Sequence, residues 1–305
     1  MKPTLLILAA GMGSRYGSMK QTEKFGPSGE TITDYSIYDA LKAGFGKVVF
    51  VISKAMEKEF TTSYIKKFPP SLDVDYVIQE ITSLPSGYSV PAERVKPWGT
   101  AHAVMMAANK IKEPFAVINA DDFYGGQSYK IMADYLTKLP ENSTDRYCLV
   151  GYRLDKTVSK YGTVSRGICM VDDEGNLTEI IERTKIAVEN DIIYFEEESG
   201  ERVTLSADDI VSMNLFGFTP DIFTHFDTLF KRFLDENGNN PKAEFFIPYA
   251  MDILIKSGQS KLAVLPTPET WFGVTYKEDR PHVLEMIGGL IRNNVYPAAL
   301  WKSMI

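Results

Sequence analysis

Residues 4–10, Thr-Leu-Leu-Ile-Leu-Ala-Ala, are apolar or small with no polar alternation, and no other stretch restricts the fold as much. A strand with one wet face alternates in polarity. A run without alternation therefore predicts a strand covered on both faces, as in a mostly parallel sheet flanked by helices. Similar runs predict strands at Lys47–Ser53 and Phe115–Asn119, and Asp73–Gln79 reads as a further strand. Between them, Ile32–Ala43 reads as a helix with Tyr35, Tyr38 and Leu41 on one face and Gly44 as its stop, and Glu57–Phe68 as an amphipathic helix ended by Pro69-Pro70. Strands alternating with helices imply right-handed βαβ units and a doubly wound sheet.

The first strand runs into a loop of small residues. Ala9, Ala10, Gly11 and Gly13 let the backbone turn sharply, approach a ligand closely and leave amide N–H groups free to face an anion. Phosphate is the natural guest. A dinucleotide fingerprint would require a third glycine where Tyr16 stands, and a P-loop would require Gly-Lys-Ser/Thr, so neither motif applies. The run that remains, Leu8-Ala9-Ala10-Gly11-Met12-Gly13-Ser14-Arg15 with Lys20 following, resembles the sugar-phosphate nucleotidyltransferase family, in particular its glucose-1-phosphate uridylyl- and thymidylyltransferase types. In that family a Gly-rich loop with an Arg and a following Lys wraps the triphosphate of an NTP. The resemblance implies nucleotide contacts from Leu8, Ala10, Gly11, Gly13 and Ser14, and phosphate contacts from Arg15 and Lys20.

The same resemblance extends along most of the chain. Gln79, at the end of the third strand, falls where the family reads the nucleobase edge. Trp98-Gly99-Thr100-Ala101-His102-Ala103 matches the element that packs on base and ribose, with Gly99 and Thr100 as the implied contacts and a form most like the uridylyl-transferring members. His102 by itself is expected to be a packed helix residue. Asn119-Ala120-Asp121-Asp122-Phe123-Tyr124-Gly125 resembles the segment whose Asp binds magnesium, which places Asp121 as the Mg²⁺ ligand and Tyr124 near the acceptor. Gly162 in Tyr161-Gly162-Thr163-Val164, Glu182 and a cation, Arg183 or Lys185, in Ile180–Lys185, and Asn214 complete the implied acceptor contacts, with Lys185 preferred. One position departs from the family. Trp271-Phe272-Gly273 carries Gly273 where members often place a second acidic metal ligand, so that Asp121 acts alone, Asp279 substitutes, or catalysis is weakened.

The implied fold is α/β: a Rossmann-like, doubly wound, mixed but mostly parallel sheet with helices on both faces, plus a β-rich acceptor-binding portion. The expectation is one domain over 1–305, with an NTP-binding portion at 1–146, an acceptor-binding portion at 147–276 and a helical extension at 277–305. With 305 residues and 44% hydrophobic content, the chain can bury a core of that size. Residues 80–97, rich in Ser, Pro and Gly, read as a flexible flap, and 189–205, around a glutamate run, as a solvated hairpin-like insertion. The formal charge of -7 without a Lys/Arg block argues against nucleic acid as partner. No apolar run approaches the ~20 residues of a membrane span, and no leader pattern precedes the first strand, so a cytoplasmic location is expected. Cys148 and Cys169 lie in apolar runs and read as buried hydrophobes, and His102, His225 and His282 are too scattered for zinc. The expected activity is transfer of an NMP group, UTP favoured, to a sugar 1-phosphate with release of pyrophosphate. The alternatives are transfer to a non-sugar phosphomonoester such as phosphocholine, or a nucleotide sensor without turnover.

Overall fold

The computed structural model describes residues 1–11, 23–159, 162–197, 199–274 and 279–303. Strand β1 (Thr4–Leu8) leads, past the loop, to helix α1 (Ile32–Ala43), then β2 (Lys47–Ile52). Helix α1 starts where its sequence dictates. The Thr31 hydroxyl and the Asp34 carboxylate cap each other's backbone N–H groups, and Gly44, at φ 103°, supplies the left-handed stop. The expected second helix is broken: residues 54–67 pass from 3-10 turns through α2 (Glu57–Glu59) into a π turn at Phe60–Tyr64. That winding brings Phe60, Tyr64 and Phe68 around the Phe50 ring.

The chain continues through β3 (Asp73–Ile78), α3 (Thr100–Met105), β4 (Phe115–Asn119), the two-residue β5 (Asp122–Phe123) and α4 (Gly126–Lys138). Strands β6 (Arg146–Arg153), β7 (Val164–Val171), β8 (Leu177–Glu189), β9 (Ile192–Glu196), β10 (Arg202–Thr204) and β11 (Ile210–Phe218) follow. Helices α5 (Ile222–Asn237) and α6 (Ile247–Lys256), strands β12 (Lys261–Pro266) and β13 (Phe272–Gly273), and α7 (Asp279–Arg292) complete it. The main sheet runs β10-β9-β8-β7-β11-β4-β1-β2-β3, with β6 paired to β11 and β12 to β6. Strands β1 to β4 are mutually parallel and β11 enters antiparallel to β4.

Burial on both faces explains the unbroken apolar run of β1. Leu5 and Ile7 join the core beneath α1, α4 and residues 54–67, while Leu6 and Leu8 join the core beneath α3, α5 and α6. The segment 189–205 differs from the solvated insertion that its glutamates suggest. It extends β8 and adds β9 and β10 to the sheet, because Ile186, Ile193 and Phe195 turn inward and are buried while the charges alternate outward.

A third core joins the two ends of the chain. Val283 and Ile287 of α7, Tyr296 and Leu300 pack with Tyr35 and Tyr38 of α1 and with Phe25. The Tyr296 hydroxyl donates to Asp39 Oδ2 at 2.5 Å, Leu300 N–H to Glu30 Oε1 at 3.3 Å, and the Ser28 hydroxyl to the Ala298 carbonyl at 2.9 Å. Cys148 and Cys169 are buried and free. Among the described residues no helix is long and apolar enough to cross a membrane.

Candidate active site

The carboxyl ends of the parallel strands gather the nucleotide candidates. Leu8 ends β1, and Ala9 N–H still donates to the Val51 carbonyl at 2.8 Å. Ala10 is half-buried, and Gly11 is exposed, with none of the described residues within 4 Å of where a side chain would stand. Gly13, Ser14, Arg15 and Lys20 lie outside the described residues. Gln79 follows β3, and Asn119 to Asp122 follow β4. In open α/β sheets ligands sit at such carboxyl ends.

Behind Gln79 lies a buried polar network. The Gln79 amide nitrogen is 3.1 Å from the Gly99 carbonyl and 3.0 Å from His102 Nδ1. His102 Nε2 is 2.8 Å from the Ser83 carbonyl. Burial pushes the imidazole down to about 4, so it is neutral at physiological pH. Gly99 is required by the fold: at φ 107°, a Cβ would fall 2.5 Å from the Phe245 carbonyl oxygen. Thr100 is also occupied, its hydroxyl accepting the first N–H of α6, from Ile247, at 3.0 Å. Residues 80–97 are tied down rather than forming a free flap. Arg94, 3% exposed, donates to the carbonyls of Pro97, Asn240 and Ala243 and stacks on Trp98, whose indole N–H donates to the Ile81 carbonyl.

Across the sheet is a polar cavity of about 310 Å³. Strand register builds its floor: Ser212 of β11 stands beside Gly167 of β7, and Gly167 beside Glu182 of β8. Asp121, Asp122, Arg166, Glu182, Asn214 and Trp271 supply its chemistry. Asn214 sits at an irregularity of β11 with φ 63°, a left-handed conformation that asparagine tolerates.

Asp122 Oδ2 accepts from Asn119 Nδ2 at 2.9 Å and from the Tyr124 hydroxyl at 3.2 Å. Burial, and next the charge of Asp121, push the Asp122 carboxyl up to about 7. Gly273 stands directly opposite Asp122 in the β5–β13 pair, and a Cβ on it would lie 3.0 Å from Asp122 Oδ1. The missing side chain at 273 thus leaves room for the carboxylate of Asp122.

Three implied acceptor contacts are placed elsewhere. Tyr124 is fully buried and holds Asp122 and the Asn119 N–H, because its ring fills the core beneath β4. Lys185 is exposed and paired with Glu196 at 3.3 Å, at an irregularity of β8 where its φ is 54°. Arg183 lies over the Phe195 ring. Gly162 precedes β7, half-buried, away from the cavity lining. Asp279 is buried at the start of α7 and does not line the cavity.

The cation lining the cavity among the described residues is Arg166, which the motifs do not point to. Its guanidinium donates to the carbonyls of Ser165 and Thr157 and lies 4.7 Å from the centre of the Trp271 ring. Burial lowers it to about 10 while Asp122 and Glu182 hold it charged, and burial raises Glu182. Parity was the available signal. Arg166 alternates with Val164 and Ile168, both buried, so an arginine occupies an inward strand position. A separate group, Asp145, Asp221 and His225, lies at the amino ends of β6 and α5, at the opposite end of the sheet. Its members are partnered there by one another and by the Tyr147 hydroxyl.

The end of β1, Gln79 and an acidic cavity thus lie at the carboxyl ends of one mixed sheet. The chain belongs to the nucleotidyl transferase family, whose model matches residues 4–273. Among curated proteins it is similar to the UTP–glucose-1-phosphate uridylyltransferase AglF of Haloferax volcanii, 23% identical over 279 residues, 90% of this chain and 92% of that protein. Among solved structures it is similar in fold to the inositol-1-phosphate CTP transferase from T. maritima, with a TM-score of 0.61, 12% identity and coverage of 95% and 96% of the two chains. It is also similar to a UDP-glucose pyrophosphorylase complexed with UDP-glucose, with a TM-score of 0.60, 19% identity and coverage of 95% and 99%.

Proposed function

We propose that the protein transfers a nucleoside monophosphate, UMP by preference, from an NTP to a sugar 1-phosphate and releases pyrophosphate. The observation that carries this reading is the acidic cavity with one buried arginine, beside the carboxyl ends of the strands that also deliver Gln79 and Ala10-Gly11. A phosphate oxygen of the acceptor attacks the α-phosphorus, the bond from that phosphorus to the β-bridging oxygen breaks, and pyrophosphate leaves with the electron pair. The acceptor phosphate is already ionised, so no general base is required. The chain's work is to align the two reactants and to offset charge.

In this reading Gln79, Leu8, Ala10 and Gly11 hold the nucleotide with Gly13 and Ser14, while Arg15 and Lys20 contact its phosphates. Glu182 and Asn214 hold acceptor hydroxyls, and Arg166 supplies the cavity's fixed positive charge. The donor set suits Mg²⁺: Asp121 and Asp122 are adjacent carboxylates, and a bound cation would offset the upward push on Asp122. Asp121 is the proposed ligand, and bound Mg²⁺ would supply charge neutralisation on the triphosphate.

The test is pyrophosphate release with the five common nucleotides against sugar 1-phosphates and non-sugar phosphomonoesters. UTP with a sugar 1-phosphate is the expected pair. Release only with an acceptor such as phosphocholine would move the assignment to that class. Nucleotide binding without release for any pair would make the protein a sensor.

A further inference from the structure

We propose that His102 is a positioning residue for base selection. Together with the Gly99 carbonyl it takes up both amide N–H groups of Gln79, so the base meets only the Gln79 oxygen and the site favours uracil and thymine over cytosine. The proposal rests on the reading above that Gln79 faces the base.

The chain of hydrogen bonds has one consistent direction. The Ser83 carbonyl can only accept, so His102 Nε2, at 2.8 Å, carries the proton. The ring is fully buried and its pKa is depressed, so it holds one proton, and Nδ1 presents a lone pair. Gln79 therefore meets two acceptors, Nδ1 at 3.0 Å and the Gly99 carbonyl at 3.1 Å, and has two N–H groups to give. Reversing the amide would set its oxygen against both lone pairs. The Phe230 ring, 4.9 Å away centre to centre, packs on the imidazole.

Gln79 is 7% exposed and its Oε1 accepts no hydrogen bond among the described residues. An acceptor in that place matches the ring N3–H of uracil or thymine. It opposes the N3 lone pair of cytosine, which leaves buried groups unpaired.

Calorimetric titration of the full chain with UTP, CTP and N3-methyl-UTP in Mg²⁺ reads the effect. The unaltered protein is expected to bind UTP about tenfold or more tighter than either analogue. In His102→Leu the UTP:CTP ratio should fall to within about threefold, while His102→Asn, whose Oδ1 can accept from Gln79, should keep most of it. A folded His102→Leu with an unchanged ratio overturns the proposal. Should that variant fail to fold, long-range ¹H–¹⁵N correlation on the unaltered protein reads the tautomer directly: Nε2–H is expected, and Nδ1–H overturns the proposal. If no nucleotide binds while His102 is the Nε2–H tautomer, the clamp is present but Gln79 is not a base contact, and the proposed function falls first.

Discussion

The surroundings of Gln79 and of Asp122 are built on opposite electrostatic plans. Around Gln79 the groups that hydrogen-bond to it are neutral, and its amide N–H groups and both ring nitrogens of His102 are engaged by fixed partners. Around Asp122 the groups are charged and compete: Asp121 and burial raise Asp122, burial raises Glu182, and Arg166 is held between them. A neutral network whose donors are all engaged keeps its geometry whether or not a ligand is present, and so suits recognition by shape and hydrogen-bond pattern. A cavity of unbalanced charge changes its protonation when a charged ligand arrives, and so suits groups whose charge shifts during reaction.

The sharpest way to break this comparison is at Asp121. Asp121→Asn keeps the shape and removes the charge. Turnover should fall by roughly 10³-fold, and calorimetry should show that Mg²⁺ and UTP no longer strengthen each other's binding. Unchanged metal dependence would move the metal contact to another acid, with Asp122 the first to try. Next comes Arg166→Met, which should raise KM for the phosphorylated acceptor by about 10- to 100-fold while leaving the Kd of UTP unaltered. Equal losses for both ligands would show that the arginine supports the fold rather than the acceptor end.

The neutral end should declare itself in acid. His102 has a folded-state pKa of about 4 against an ordinary value of 6.5, so the unfolded chain binds more protons between those values. Its contribution to stability is complete above pH 6.5 and is lost as pH falls towards 4, an effect on the order of 3 kcal/mol. Melting curves of His102→Leu should show a flatter fall of Tm across that window than the unaltered protein. An identical slope would mean that the imidazole is not buried neutral. The smallest effect belongs to Lys185→Ala. Its partner Glu196 is exposed with it, so turnover should change by less than about twofold. A large loss would return Lys185 to the acceptor contacts.

The parallel half of the sheet was legible because β1, β2 and β4 are buried on both faces and so write uninterrupted apolar runs. The antiparallel part was harder. Glutamates on the outward positions of β8 to β10 mask Ile193 and Phe195 on the inward ones, and a strand pattern then reads as a solvated excursion. At the site, Asp121, Glu182 and Asn214 were found by motif and do line the cavity. Tyr124 and Lys185 were assigned by the same motifs, but side-chain direction, which register decides and spacing does not, sends one into the core and the other to solvent. Gly99 and Thr100 show a different limit. Their partners, Phe245 and Ile247, are about 147 residues away in sequence, so no local pattern announces the role.

The clasp of Tyr296, Ala298 and Leu300 on residues 28–39 sets a timetable for the protein's birth. Tyr296 and Asp39 are separated by 257 positions, so at ~5–20 residues per second the ribosome adds about 13–50 s between making the helix and making its cover. Throughout that interval the Tyr35 and Tyr38 face lacks the cover that Tyr296 and Leu300 give it, with Phe25 and, later, Phe123 and Phe272 of the same cluster made before them. A nascent chain stalled short of residue 296 would present part of that aromatic surface for chaperones to hold.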